Sequence, residues 1–156
     1  TLSQKTCLSV TTNNFGGKWV VQMHTVERLG ISTPYHPEQD QGMAANFHAF
    51  VLAGTGSGCG KTTVTLGLLS LLKKRGLRVQ PCKVGPDYLD TGWHTAVCGT
   101  ASRNLDSFML PVPTLNALFN EQMQHADIAV IEGVMGLYDG YGTDPNYCST
   151  AAMAKR

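Results

Sequence analysis

Charge is scarce in this sequence. Acidic and basic side chains together make up 15% of its 156 residues, where a globular chain usually carries about a quarter. Twelve Lys and Arg offset eleven Asp and Glu, leaving a net charge of +1. With no basic excess to neutralise phosphates, nucleic-acid binding is excluded as the main activity. Long apolar runs are missing too. The longest candidate, Val64 to Leu72, is interrupted by Thr65, Gly67 and Ser70, far from the ~18 apolar residues a membrane helix needs. No basic stretch leads into an apolar core near the N-terminus, so neither a secretory signal nor a membrane partner is expected. The five cysteines (Cys7, Cys59, Cys82, Cys98, Cys148) form no CxxC pair. A zinc site is therefore not expected, and their odd number reads as reduced thiols in a cytoplasmic protein.

What is present supports one domain. The chain is 42% hydrophobic and long enough for a single core. Charge position says more than charge total. From Gln41 to Leu72 the only charged side chain is Lys61. From Asn104 to Ala154 there is no Lys or Arg, while Asp106, Glu121, Asp127, Glu132, Asp139 and Asp144 all fall there. An isolated cation among glycines, followed by carboxylates, suits a nucleotide and its divalent cation. Most of the six acids also suit plain solvated loops.

Residues 1–42 read as an extension. Thr6–Thr12 and Lys18–Val26 lean towards strand and flank Asn13-Asn14-Phe15-Gly16-Gly17, a hairpin turn; Thr33-Pro34-Tyr35-His36-Pro37 is a breaker-rich linker. No chemical constellation falls in this segment, which is expected to be a hairpin and linker or a disordered stretch. Met43 just beyond it is a candidate start.

From Asn46 strands alternate with helices. Strands are expected at Phe47–Ala53, Leu77–Val84 and Ile128–Ile131. Helices are expected at Lys61–Arg75, with an apolar face of Val64, Leu66, Leu68, Leu69, Leu71 and Leu72, and at Pro113–Gln124, with Leu115, Leu118, Phe119 and Met123. Ser149 is placed to cap a last helix. Such alternation implies an α/β fold with a parallel sheet and right-handed crossovers. Three strands are few, so the sheet is expected to be partial, truncated at its C-terminal end.

Between the first strand and first helix stands Gly54-Thr55-Gly56-Ser57-Gly58-Cys59-Gly60-Lys61-Thr62-Thr63. Glycines let successive backbone N–H groups curve around phosphate oxygens, and the helix N-terminus adds its dipole. Thr55 to Thr63 are the candidate nucleotide-binding residues: Thr55, Gly56, Ser57, Gly58, Cys59, Gly60, Lys61, Thr62 and Thr63. Lys61 should reach the terminal phosphates and the Thr62 hydroxyl should hold Mg²⁺. The common G-x-x-x-x-G-K-[ST] form would need Gly at position 55, which is Thr; here five residues separate Gly54 from Gly60. Cys59 reads as a small spacer.

Two carboxylate motifs follow. In Lys83-Val84-Gly85-Pro86-Asp87-Tyr88-Leu89-Asp90, Gly85-Pro86 ends a strand and sets Asp87 and Asp90 at its C-terminal edge, where ligands bind in open α/β sheets. Asp87 is suited to act on Mg²⁺ through a water and Asp90 to align substrate; capping the next helix is an equal alternative for both. Glu132 directly follows a buried strand, where a P-loop enzyme needs a carboxylate for its metal. Val134 to Gly140 reads as a substrate-facing loop. His94, just after the Asp pair, reads as a helix-packing residue, with substrate contact as the alternative.

Together the segments AGTGSGCGKTTVTLGLL (53–69), KVGPDYLDTGWH (83–94), NLDSFM (104–109) and EGVMGLYDG (132–140) resemble the N-terminal part of the cobyrinic acid a,c-diamide synthase family, dethiobiotin-synthetase-like P-loop amidotransferases, over residues 43–156. The resemblance implies ATP and Mg²⁺ as cofactors and a corrin substrate. The a and c acetate carboxylates would be activated as acyl phosphates and amidated by ammonia. In the family the ammonia comes from glutamine in a C-terminal glutaminase domain, outside the matching segments. The resemblance gives Asp87, Asp90 and Glu132 catalytic roles, Thr62, Asp87 and Glu132 metal-site roles, and Tyr88 and Leu89 proximity to the corrin. Cobyric acid synthase and dethiobiotin synthetase share the carboxylate-activating chemistry, and a nucleotide-binding fragment inactive by itself is a further alternative. A partition-ATPase switch is disfavoured because the loop lacks a second, early lysine.

Overall fold

The computed structural model describes residues 19–26, 47–144 and 147–155. Five strands form one sheet: β1 (Trp19–Val26), β2 (Phe47–Gly54), β3 (Val79–Val84), β4 (Arg103–Leu105) and β5 (Ile128–Glu132), in the order β1-β2-β5-β3-β4. β2, β5, β3 and β4 run parallel. β1 runs antiparallel along β2, from Trp19 opposite Gly54 to Val26 opposite Phe47. Four helices connect or follow the strands: α1 (Lys61–Lys74), α2 (Leu89–Cys98), α3 (Val112–Met123) and α4 (Thr150–Ala154).

β3 and β5 are central, and β3 is buried along its whole length. That explains the near-continuous apolar run of β5, since a parallel strand covered on both faces has no solvent side to alternate towards; β3 buries Gln80 and Lys83 among its apolar residues. Helices cover both faces. One core cluster joins Ala49, Val51, Cys82, Leu105, Leu115, Met123 and Ile131; the other joins Phe50, Leu69, Val79, Cys98 and Val130. Burial pushes the Cys82 thiol up to about 12, against weaker hydrogen bonds that pull it down. The thiol is therefore a small core residue.

The strand–helix alternation and the parallel sheet are as the sequence implies, with three corrections. The described sheet has five strands where three are expected. β4 is only three residues long and β1 belongs to the segment read as an extension. Its expected hairpin partner, residues 6–12, lies outside the described residues, as do the turn and the linker; β1 extends the edge of β2. The helical faces are narrower than expected. Val64 and Leu71 in α1 and Leu118 in α3 are exposed, whereas Thr65 and Leu69 are fully buried. Ser149 does cap α4, its hydroxyl accepting from the Ala152 N–H at 3.0 Å.

Because β2, β5, β3 and β4 are parallel, their C-terminal ends share one edge. The loops leaving that edge carry all the chemistry-bearing motifs.

Candidate functional site

The phosphate loop leaves β2 and enters α1 through Gly60, which has φ 86° and ψ 19°. That left-handed conformation favours glycine. Gly54 is required for another reason: a Cβ there would lie 2.3 Å from the Cys59 Sγ. Cys59 therefore occupies space that only a glycine at position 54 leaves open. Its thiol donates to the Gly56 carbonyl at 3.1 Å, and Lys61 Nζ donates to the same carbonyl at 2.7 Å. The lysine thus curls over its own loop, where the terminal phosphates of a nucleotide would compete for it.

The loop's second function begins at Thr62. Its hydroxyl lies 2.7 Å from Glu132 Oε1 and 3.2 Å from Asp90 Oδ1. Three residues from three motifs, 28 and 70 positions apart, thereby converge. Asp87 stands one step back. Its Oδ1 accepts from the backbone N–H of Leu89 at 2.9 Å and of Asp90 at 3.0 Å, so it caps the start of α2 and sets the direction of Asp90. Asn104 braces the same turn, donating to the carbonyls of Gly85 at 2.6 Å and Asp87 at 3.0 Å. Tyr88 and Leu89 are 90% and 78% exposed.

Lys83 and His94 complete the cluster, and sequence reasoning missed both roles. Lys83 comes from β3, is almost fully buried, and reaches Asp90 Oδ2 at 2.5 Å, Glu132 Oε1 at 3.0 Å and the Gly133 carbonyl at 3.2 Å. His94 is fully buried on α2, with Nε2 at 2.7 Å from Glu132 Oε2 and Nδ1 at 3.3 Å from Ser102 Oγ. It fixes a carboxylate as well as packing a helix. A signal for Lys83 was available: a lone lysine inside a buried strand needs carboxylate partners.

The charges support one another. Burial alone would raise the Glu132 pKa, but the His94 hydrogen bond, the Lys83 charge and the Thr62 hydroxyl hold it below the ordinary carboxylate value. Burial also opposes ionisation of Asp90, and Lys83 outweighs it, so that pKa too is lowered. Burial would lower the Lys83 pKa, yet Asp90 and Glu132 together raise it. All three groups are charged at neutral pH.

Glu132 is followed by Gly133, where a Cβ would sit 2.6 Å from Thr150 Cγ2 and 3.3 Å from the Leu52 carbonyl. Without that Cβ, α4 can approach the sheet edge. Thr150 Oγ1 then accepts from the Val134 N–H at 3.0 Å and donates to its carbonyl at 3.2 Å. The loop after β5 is tied to the phosphate loop as well, through Leu137 N–H to the Gly54 carbonyl at 2.8 Å.

A hydroxyl and carboxylate oxygens form a hard donor set, the kind Mg²⁺ takes. Among the described residues no group of three or more His, Cys, Asp and Glu is placed to hold a metal by itself. Among the described residues no helix is long and apolar enough to cross a membrane.

Comparisons with known proteins identify relatives of this chain. Over 114 residues, 73% of this chain and 25% of the relative, the sequence is 86% identical to a cobyrinate a,c-diamide synthase of Salmonella typhimurium. It is 59% identical over 106 residues, 67% of this chain and 24% of the relative, to a protein of the same name from Listeria monocytogenes. A hydrogenobyrinate a,c-diamide synthase from Streptomyces coelicolor is 49% identical over 105 residues, 67% of this chain and 22% of that protein. The chain thus spans about a quarter of the length of the curated relatives it matches. The family described as the CobQ/CobB/MinD/ParA nucleotide binding domain matches residues 50–131, just over half of the chain. With its phosphate loop between β2 and α1 and its carboxylates on the adjoining strand ends, this chain belongs to that family, CbiA.

Proposed function

We propose that the chain is the nucleotide-binding part of an ATP-dependent ligase that amidates the a and c acetate carboxylates of cobyrinic acid. The observation that carries this reading is the meeting of Thr62, Asp90 and Glu132 at the mouth of the phosphate loop. The names of the relatives supply the substrate.

A carboxylate is a poor electrophile. Transfer of the γ-phosphoryl group of ATP to a carboxylate oxygen releases ADP and leaves an acyl phosphate. Ammonia then attacks the carbonyl carbon, phosphate departs with the C–O bond electrons, and an amide remains. Phosphoryl transfer of this kind needs positioning and charge neutralisation, not a protein nucleophile. Residues 55–63 cradle the phosphates, with the Lys61 ammonium moving from the Gly56 carbonyl to phosphate oxygens. Thr62 and Glu132 are the residues that would hold Mg²⁺, with Asp87 acting through a water; the ion supplies charge neutralisation to the phosphates. Asp90, held by Lys83, aligns the substrate carboxylate, and the exposed Tyr88 and Leu89 face the corrin. Ammonia derives from glutamine hydrolysed in another part of the full-length protein, and the whole reaction runs in the cytoplasm.

A chain of the relatives' full length should release ADP in an ammonia-dependent manner when given cobyrinic acid. Asp87→Asn, Asp90→Asn and Glu132→Gln should each abolish that release. Normal turnover by all three variants would overturn the assignment of the carboxylates.

A further inference from the structure

Glu132 is fully buried, and its two oxygens have separate partners. Oε1 accepts from the Thr62 hydroxyl at 2.7 Å and from Lys83 Nζ at 3.0 Å. Oε2 accepts from His94 Nε2 at 2.7 Å. An ionised carboxylate has no proton to give, so the ring nitrogen is the donor. At that atom His94 has no lone pair to offer a cation. Whatever it does for the site, it does through Glu132.

The ring is held at both nitrogens. Nδ1 lies 3.3 Å from Ser102 Oγ. Ser102 is fixed in turn, its backbone N–H donating to Thr95 Oγ1 at 2.9 Å. His94 also follows Asp90 by four residues on α2, so the two side chains share one face of that helix. Asp90 is divided in the same way as Glu132. Lys83 takes its Oδ2 at 2.5 Å, while Oδ1 lies 3.2 Å from the Thr62 hydroxyl. Each carboxylate thus turns one oxygen to Thr62 and has the other occupied.

We propose that His94 is a positioning residue that selects the cation: by occupying Oε2 it makes Glu132 a one-oxygen ligand, which favours Mg²⁺ over Ca²⁺. This rests on the reading of Thr62 and Glu132 as the residues that would hold the nucleotide's cation, and it says which ion they favour and why. Ca²⁺ takes about six to eight oxygens and accepts both oxygens of one carboxylate; Mg²⁺ takes about six, several of them from water and phosphate. A glutamate with one oxygen to give suits the second ion and leaves the first short of ligands. Packing alone does not need this arrangement, since an apolar side chain would fill the same buried space without engaging Oε2.

The test is calorimetric titration of a chain of the relatives' full length with a non-hydrolysable ATP analogue, in Mg²⁺ and separately in Ca²⁺. The readout is the ratio of the two affinities, which a purely structural loss would leave unchanged. Wild type should favour Mg²⁺. His94→Ala, which frees Oε2, should lower the ratio about tenfold, the scale on which partners of metal ligands act. His94→Gln, whose amide can donate to Oε2, should keep the ratio within about twofold of wild type. If circular dichroism shows that His94→Ala does not fold, Ser102→Ala keeps the buried ring, loosens its other nitrogen and should lower the ratio about threefold. An unchanged ratio in His94→Ala, or in Ser102→Ala where the first does not fold, would overturn the selection and leave Glu132 as a residue for the cation. Analogue binding by the wild type that needs no divalent cation would overturn the cation reading itself, and the selection with it.

Discussion

The phosphate loop and the carboxylate cluster lie side by side but are built in opposite ways. Within the loop, Cys59 and Lys61 bond to partners two to five residues away. In the cluster, Thr62 reaches across 28 and 70 residues, Lys83 across 49 to Glu132, and His94 across 38. The loop is a local object whose glycines set its shape. The cluster exists only because β3 and β5 are neighbours in the sheet and α2 packs beside them. A local device should be breakable without unfolding the domain, whereas a long-range ionic cluster should not.

The largest expected effect tests that contrast. Lys83→Ala leaves Asp90 and the fully buried Glu132 without their cation, which should cost about 3–5 kcal/mol of stability. Lys61→Ala removes the bond to the Gly56 carbonyl and the long one to Cys59 Sγ and should cost about 1 kcal/mol. Denaturant midpoints measure both, and equal losses would abolish the distinction between the two regions. Function should show the reverse order. Lys61→Ala and Thr62→Ala should weaken binding of Mg²⁺–ATP at least tenfold, about 1.4 kcal/mol, and calorimetry showing wild-type affinity would remove the phosphate-loop assignment.

His94 belongs to the cluster without facing the loop. His94→Ala strips Glu132 Oε2 of its partner, at a cost of about 1–3 kcal/mol, while nucleotide affinity should fall less than in Lys61→Ala. A loss of affinity larger than that of Lys61→Ala would mean that His94 acts in the loop's chemistry directly.

A pH titration sharpens the comparison further. The lowered Glu132 and Asp90 pKa values mean that the unfolded chain binds more protons than the folded one across the acid range. Their contribution is full above the ordinary carboxylate values, about pH 4, and is lost as pH falls through the lowered ones. Lys83 acts oppositely: its contribution is full below about pH 10 and is lost as pH rises through its raised value. Urea midpoints of the wild type and of Lys83→Met across the acid range check this; an identical pH slope in the variant would show that Lys83 does not hold the carboxylates ionised.

The smallest effect on the site is expected from removing residues 1–42. Among the described residues β1 pairs with β2 alone, at the edge away from β5, so affinity for Mg²⁺–ATP should stay within about twofold. The exposed edge of β2 should instead promote association, visible by light scattering. A tenfold loss of affinity would show that the edge strand holds the phosphate loop in shape.

Much of the site was legible because its elements are local. Gly60 before Lys61-Thr62, an acid straight after an apolar strand, and Gly85-Pro86 ending another each announce themselves within a few residues. β4 was not legible, since three residues carry no period and its pairing with Cys82 to Val84 comes from the sheet. Nor was it legible which of Asp87 and Asp90 caps α2: the bonds from Asp87 to Leu89 and Asp90 are local, and Asp90 could equally have served. The exposed Val64 and Leu71 look like core in the helical pattern; α1 buries Leu69 as that pattern implies, and Thr65, which it does not.

By itself the sequence determined the alternation of strands and helices, the glycine-rich loop between β2 and α1 and the acids at the strand ends that we propose for a nucleotide and its cation. These follow from backbone sterics and hydrophobic period, which act over a few residues. Only the tertiary structure decided that Lys83 lies between Asp90 and Glu132 and that His94 turns the far oxygen of that glutamate. Those contacts depend on the strand order β2-β5-β3-β4. That order is fixed by which apolar faces bury one another across the whole sheet, a balance that no short stretch of sequence contains.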